Sequence, residues 1–180
     1  MIVSSQVSAQ ERAASRPSEA TIREWQSRKY GMFIHFGLFS MLGGVWKGKQ
    51  YSGNYSEQIQ SDAHIPQNEY SALAAQFDPT RWDAEAIVRL AEQAGMKFIV
   101  LTAKHHDGFN MFATKQSTYN VVDGSPYKQD IVRSLAEACK RHGMPLGSTI
   151  QPSIGTSGTF PKKETIIRYQ PHMKNSMRLN

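Results

Sequence analysis

Phe98-Ile99-Val100-Leu101-Thr102-Ala103-Lys104-His105-His106-Asp107-Gly108-Phe109 reads as a buried strand that runs into a cluster of titratable groups. Its continuous apolar start suits a strand covered on both faces, and the residues from Thr102 onward place polar chemistry where that strand should end. Upstream, Asp83 can cap a helix whose apolar residues Ile87, Leu90, Ala91 and Ala94 recur at helical spacing, with Gly95 as its stop. Downstream, a second helix is expected from about Lys128 to His142, with Ile131, Val132, Leu135, Ala136 and Cys139 on one face and Gly143 closing it. Met144 to Gly147 then begin a further strand. Earlier in the chain, Met32-Phe33-Ile34-His35-Phe36 is a short apolar run ending at Gly37, which also predicts a strand buried on both faces. Between it and the first helix, Leu42 to Ile65 holds Gly43-Gly44, Gly48 and Gly53 with Trp46, Tyr51 and Tyr55, and has no steady period. Long ordered excursions of this kind are often functional.

The order is strand, long loop with helix, strand, helix, strand, and the helix-to-strand connections are short. Such βα units make parallel sheets, so the chain is expected to be α/β. In doubly wound sheets and in (β/α)8 barrels alike, functional groups gather at the C-terminal ends of the strands. Phe36-Gly37-Leu38-Phe39-Ser40 carries a single glycine, which is no phosphate-cradling loop, and the TIM-like barrel is therefore favoured.

Composition narrows the function classes. With 180 residues, 39% hydrophobic and 20% charged, the chain is one ordinary domain or part of a larger one. Cys139 has no partner for a disulfide, and no apolar run approaches the roughly 18 to 20 residues that a bilayer-spanning helix needs, so no membrane partner is expected. The net charge of +6 invites a nucleic-acid reading, but Lys162, Lys163, Arg168, Lys174 and Arg178 against Glu164 place most of it in a short tail. A basic tail is weaker evidence than a basic face, and no nucleic-acid partner is expected. Residues 1–20, rich in Ser, Gln, Ala and Arg, are expected to form a disordered leader; Val7-Ser8-Ala9-Gln10 has the small alternating residues of a signal-peptidase site without the apolar stretch that should precede it.

The groups expected at the strand ends are His35, His105, His106 and Asp107, with Glu57 on the long loop. Imidazoles beside a carboxylate can bind a metal, hold sugar hydroxyls, or act as acid and base. For zinc, histidines at i and i+4 on a helix or ligands at the spacing of zinc enzymes are missing, and adjacent His105 and His106 should point to opposite sides, so at most one easily faces a shared ion. The bland alternatives are histidines satisfied by hydrogen bonds at a rim, a solvated Glu57, and an Asp107 that serves its own backbone. His64, His142 and His172 are read as structural or surface residues.

Gly31-Met32-Phe33-Ile34-His35-Phe36-Gly37 with Gly43-Gly44-Val45-Trp46, and then Met96 through Phe109, resemble the α-L-fucosidases of glycoside hydrolase family 29. The likeness extends over about Trp25 to Gly147 and includes Ile65-Pro66 to Tyr70, Phe77-Asp78-Pro79, Tyr119 to Asp123, and Asp130-Ile131-Val132. It implies the N-terminal portion, about three βα units, of a truncated (β/α)8 barrel over residues 21–147. It also implies retaining exo-hydrolysis of terminal α-L-fucose from glycoconjugates with no metal and no cofactor: a carboxylate nucleophile forms a glycosyl-enzyme while a second acid protonates the leaving oxygen. By matching position, His35, His105 and His106 would contact fucose hydroxyls, and Glu57 would line the pocket. Gln58 stands where the family commonly has tryptophan, which leaves Trp46 as the nearby aromatic. Both catalytic carboxylates are expected beyond Asn180, so no catalytic residue is assigned within the chain. The partner implied is a fucosylated glycan or glycoside; the compartment and oligomeric state are not fixed, although a secreted or periplasmic parent enzyme is compatible with the likeness.

Residues 148–180 depart from the family pattern. Ser148 to Thr156 include Pro152 and Gly155, which should spoil a strand. Gly147 to Thr156, back-translated with permitted codons and read from the third base, give Phe-Tyr-Tyr-Ser-Thr-Ile-Asp-Trp-His, which fits the family; a frameshift near codon 147 is expected, with family character returning at Tyr169 to Lys174. Two functions from different classes follow: a fucosidase fragment that lacks its nucleophile and general acid/base, or a non-catalytic remnant with at most weak fucose binding. An incomplete barrel leaves sheet edges without partners, so self-association is expected of the isolated chain.

Overall fold

The computed structural model describes residues 18–51, 55–151 and the backbone of 166–169. The chain begins with α1 (Glu19–Arg28), capped by the Ser18 hydroxyl, which accepts from Thr21 N at 3.1 Å. It continues through β1 (Met32–Ile34), α2 (Phe39–Leu42) and a small hairpin, β2 (Val45–Trp46) with β3 (Lys49–Gln50). A 3-10 turn at Ser56–Gln58 leads into α3 (Ile59–Asp62), α4 (Gln67–Ser71) and a second 3-10 turn at Ala72–Gln76. Then come α5 (Ala84–Gln93), β4 (Ile99–Lys104), α6 (Ile131–His142), β5 (Leu146–Ile150) and β6 (Ile166–Tyr169). Helix α1 thus occupies the end of the segment read as leader; residues 1–17 lie outside the described residues, as does His172.

One sheet has the order β1-β4-β5-β6. β1, β4 and β5 are mutually parallel and adjacent in chain order, with Met32 opposite Ile99 and Ile99 opposite Leu146. This is the α/β arrangement that the alternating pattern predicts. β6 instead runs antiparallel to β5, with Gly147 opposite Tyr169, which a simple βα repeat does not supply. The expected loss of strand after Gly147 is corrected as well: β5 continues through Ser148, Thr149 and Ile150 and stops just before Pro152.

The core lies between this sheet and the helices. Ile99 and Leu101 of β4 join Val88 and Ala91 of α5 and Ile131, Leu135, Ala138 and Cys139 of α6 in a single buried cluster. Strand residues alternate faces, so Phe33 and its register partner Val100 point the other way. Phe33 is 54% exposed. The reading of Met32–Phe36 as a strand buried on both faces is therefore wrong: β1 ends at Ile34, and its Phe33 face is open at this strand, although Thr102 and Thr149 on the same face of the sheet are buried. Along α5 the buried face is Val88 and Ala91, and Leu90 points to solvent, because the covering sheet and α6 meet a narrower stripe than the apolar spacing suggested.

α6 starts at Ile131 rather than near Lys128. Lys128 has a φ of 57°, outside helical geometry, and Asp130 is the cap: its Oδ1 accepts from Arg133 N at 2.7 Å. Its Oδ2 accepts from Ala113 N at 2.9 Å, which ties the loop after β4 to the helix start. Asp130→Ala removes both bonds, and we expect a loss of about 1–2 kcal/mol in urea unfolding, with Asp130→Asn recovering part of it.

Aromatic rings carry rigidity from the core to the strand ends. Phe36 stacks on Trp82 (5.3 Å between centroids, 11° between planes), Phe36 and Phe109 both pack on Phe77, and Phe109 meets Tyr119. Trp82 Nε1 donates to Ser134 Oγ at 3.0 Å and so links this ladder to α6. No helix among the described residues is long and apolar enough to cross a membrane.

Candidate active site

The ends of β1 and β4 are held together by one side chain. Beyond Ile34 the backbone ladder stops, and Thr102, fully buried, takes over: Phe36 N donates to its Oγ1 at 3.1 Å, and its hydroxyl donates to Phe36 O at 3.3 Å. That clamp fixes the backbone of Phe36, directly after His35, and sets it beside the residues that follow β4. The His35 and His105 rings lie 5.8 Å apart, edge to face.

His105 begins a tight turn in which Gly108 N donates to His105 O at 3.0 Å. Gly108 has a φ of 79°, a conformation that a side chain would strain. His105 is 5% exposed, with the edge of Phe39 against it at 5.3 Å and His106 edge-on at 4.7 Å. Burial, and then the nearby His106 and His35, push its pKa down to about 4. The ring is therefore neutral near pH 7, able to donate from one nitrogen and accept at the other. Its Nδ1 is buried with no hydrogen-bond partner.

Glu57, half-buried in the Ser56–Gln58 turn, brings a carboxylate to the same place. One ligand atom from each of His35, Glu57 and His105 lies within 4.8 Å of the other two. His106, half-buried, packs against His105 outside that group of three. Trp46 lies in the hairpin, partly buried against the core, with Lys47 Nζ 5.5 Å from its ring centroid. The hairpin approaches the Glu57 turn: a Cβ on Gly44 would come within 3.2 Å of Ser56 Oγ.

Asp107 serves the turn itself. It is buried, its Oδ1 accepts from Phe109 N at 3.0 Å and its Oδ2 from Tyr70 OH at 3.1 Å. Burial raises its pKa to about 6 against the opposing effects of those two bonds and of Lys104. Tyr70, buried beside this carboxyl, is pushed well above the ordinary tyrosine value by its own burial and by the Asp107 charge. The Tyr70 and Thr102 contacts went unread in the sequence. A buried tyrosine hydroxyl needs a partner, and that requirement was the one signal available for Tyr70. His142, read as bland, lies between Glu92 (Nδ1, 2.9 Å) and Glu85 (Nε2, 2.8 Å), joining α6 to α5.

A family profile for alpha-L-fucosidase matches residues 2–170. The chain belongs to the alpha-L-fucosidase family. It is 32% identical to human tissue alpha-L-fucosidase over 139 residues, which is 74% of this chain and 29% of that protein. With the Dictyostelium discoideum alpha-L-fucosidase it shares 30% identity over 66% of this chain and 28% of that one. The solved alpha-L-fucosidase AlfC from Lactobacillus casei superposes with a TM-score of 0.69 at 45% identity, over 72% of this chain and 39% of its own, and has also been seen with α-L-fucose product. A Bacteroides thetaiotaomicron family 29 fucosidase, captured as a covalent intermediate, matches with a TM-score of 0.69 at 33% identity. The chain spans less than a third of these curated relatives, and its parallel-sheet fold matches the N-terminal portion of the fucosidases.

Proposed function

We propose that this chain is the fucose-contacting N-terminal segment of a retaining α-L-fucosidase, with β1, β4 and β5 as the first strands of a (β/α)8 barrel. The observation that carries the reading is the convergence of His35, Glu57 and His105 at the ends of β1 and β4. In barrels of this kind, ligands bind at the C-terminal ends of the strands. The open Phe33 side of the sheet is the face that further strands would enclose. Two imidazoles and a carboxylate match the donor and acceptor demands of adjacent sugar hydroxyls, and His106 and Trp46 complete the proposed pocket wall. The chemistry of a retaining glycosidase needs two carboxyl groups about 5–5.5 Å apart, and the cluster supplies one. Binding and orientation are thus assigned to these residues, and bond cleavage to groups outside them.

The test is thermal unfolding of the chain with L-fucose and with D-fucose. L-fucose is expected to raise the midpoint; at about 100 times Kd the stabilisation approaches 2.7 kcal/mol. His35→Ala and Glu57→Gln lie outside the core and should abolish the shift without lowering the unliganded midpoint. No shift with millimolar L-fucose sinks the reading.

We also infer a shifted frame after Gly147. Thr149 Oγ1 and Gln151 Oε1 are buried without hydrogen-bond partners, the local conflict that foreign residues in a strand produce. Sequencing through codon 147 is expected to recover Phe-Tyr-Tyr-Ser; a confirmed Ser148-Thr149-Ile150 removes this inference.

A further inference from the structure

We propose that His35, Glu57 and His105 form a three-ligand site for a divalent transition-metal ion of the zinc class. Two imidazoles and one carboxylate are a donor set that holds zinc in catalytic centres while leaving a fourth position open. Imidazole donors favour zinc, cobalt, nickel or copper over magnesium or calcium, which prefer all-oxygen shells.

The geometry needs little change. Ligand distances of about 2.0–2.2 Å place tetrahedral donors roughly 3.4 Å apart. Here the three atoms lie within 4.8 Å of one another. Closing that gap takes about an ångström of side-chain movement, which exposed His35 and half-buried Glu57 can supply. His105 is the fixed member, wedged between Phe39, His106 and the tight turn at Gly108. Its Nδ1 is buried with no hydrogen-bond partner, so the ring is not committed to the protein through that atom. Asp107 stays out of the set because both its oxygens are engaged by Phe109 N and Tyr70 OH.

The three ligands come from positions 35, 57 and 105, on three separate segments, and no sequence spacing announces them. The same side chains are those proposed to hold fucose, so metal and sugar would exclude one another. That exclusion rests on the fucose reading, whereas the metal site stands on the donor geometry alone.

The experiment titrates the 180-residue chain with cobalt(II), used as a spectroscopic probe for zinc, and then displaces it with zinc. One equivalent of cobalt is expected to give the visible d–d bands of a four- or five-coordinate site. Affinity in His35→Ala and in Glu57→Gln should fall by more than the roughly tenfold lost when an outer-shell partner is removed. The competing possibility is the surface trio of His142, Glu85 and Glu92, so His142→Ala is titrated in parallel and should leave the bands intact. Bands that survive both site substitutions, bands that vanish in His142→Ala, or no saturable cobalt binding each overturn the proposal. L-fucose is then added to the cobalt form. Loss of the bands is expected, and their persistence in a chain whose cobalt binding depends on His35 and Glu57 counts against the fucose pocket and leaves the metal site standing.

Discussion

The isolated 180-residue chain is expected to release no measurable fucose from an aryl α-L-fucoside, even at high protein concentration, and this is the largest effect we expect. Retaining hydrolysis requires a nucleophile and a separate acid/base, and a positioned acid or base alone contributes on the order of 10²–10⁴ in rate. Among the described residues, the His35–Glu57–His105 cluster contains one carboxylate. The nearby Asp107 cannot supply the second, because it is buried and its two oxygens are occupied by Phe109 N and Tyr70 OH. A Glu57 acting alone has no partner to protonate the leaving oxygen. The measurement is fluorimetric release from a 4-methylumbelliferyl fucoside over hours, with Glu57→Gln as the comparison. Turnover above the buffer rate that disappears in Glu57→Gln would mean that a second carboxyl reaches the pocket, and the assignment of these residues to binding alone would be wrong.

The second large effect is a pH dependence that is hidden in the unmodified chain. Asp107 has its pKa raised from 3.8 to about 6, so the folded state holds this proton more tightly than the unfolded state does. Its contribution to stability is fully present below about pH 3.8 and is lost as pH rises through 6, a change of about 3 kcal/mol. His105 runs the other way. With its pKa lowered from 6.5 to about 4, it contributes stability that is present above pH 6.5 and is lost as pH falls through 4, again about 3 kcal/mol. Over this window the two largely offset each other. Asp107→Asn removes one side of the balance, and the variant should lose about 2 kcal/mol more than the parent when urea unfolding is compared at pH 6.5 and pH 4. Comparing the two proteins cancels the surface groups Glu85 and His142, which both retain. Tyr70→Phe takes a hydrogen bond from the carboxylate and should move the Asp107 transition to higher pH. Parallel pH profiles for parent and Asp107→Asn would show that water reaches this carboxyl.

The elements that sequence alone located are those whose signal is local. Asp83 and Gly95 bracket α5, and Gly143, with a φ of 64°, closes α6, because caps and stops act within a turn or two of the chain. The apolar run at Ile99 to Leu101 lies in the central parallel strand, and the residues from Met96 to Phe109 pointed to the right family. The likeness implies pocket roles for His35, Glu57, His105, His106 and Trp46; the structure sets one ligand atom each of His35, Glu57 and His105 within 4.8 Å of the other two, and His106 beside His105 outside that group.

Tertiary structure decided what depends on contacts between distant positions. The Thr102 hydroxyl holds Phe36 across 66 positions, and Tyr70 reaches Asp107 across 37, distances over which no periodicity in the chain carries information. The exposure of Phe33 was equally invisible: an apolar run states that a strand can be covered on both faces, and only the packing of other elements determines whether it is. The same holds for the site. Residue types fix which donors are available, and the fold alone fixes that an exposed imidazole, a half-buried carboxylate and a buried imidazole meet at one point, because that meeting requires β1, the Ser56–Gln58 turn and β4 to pack as a unit.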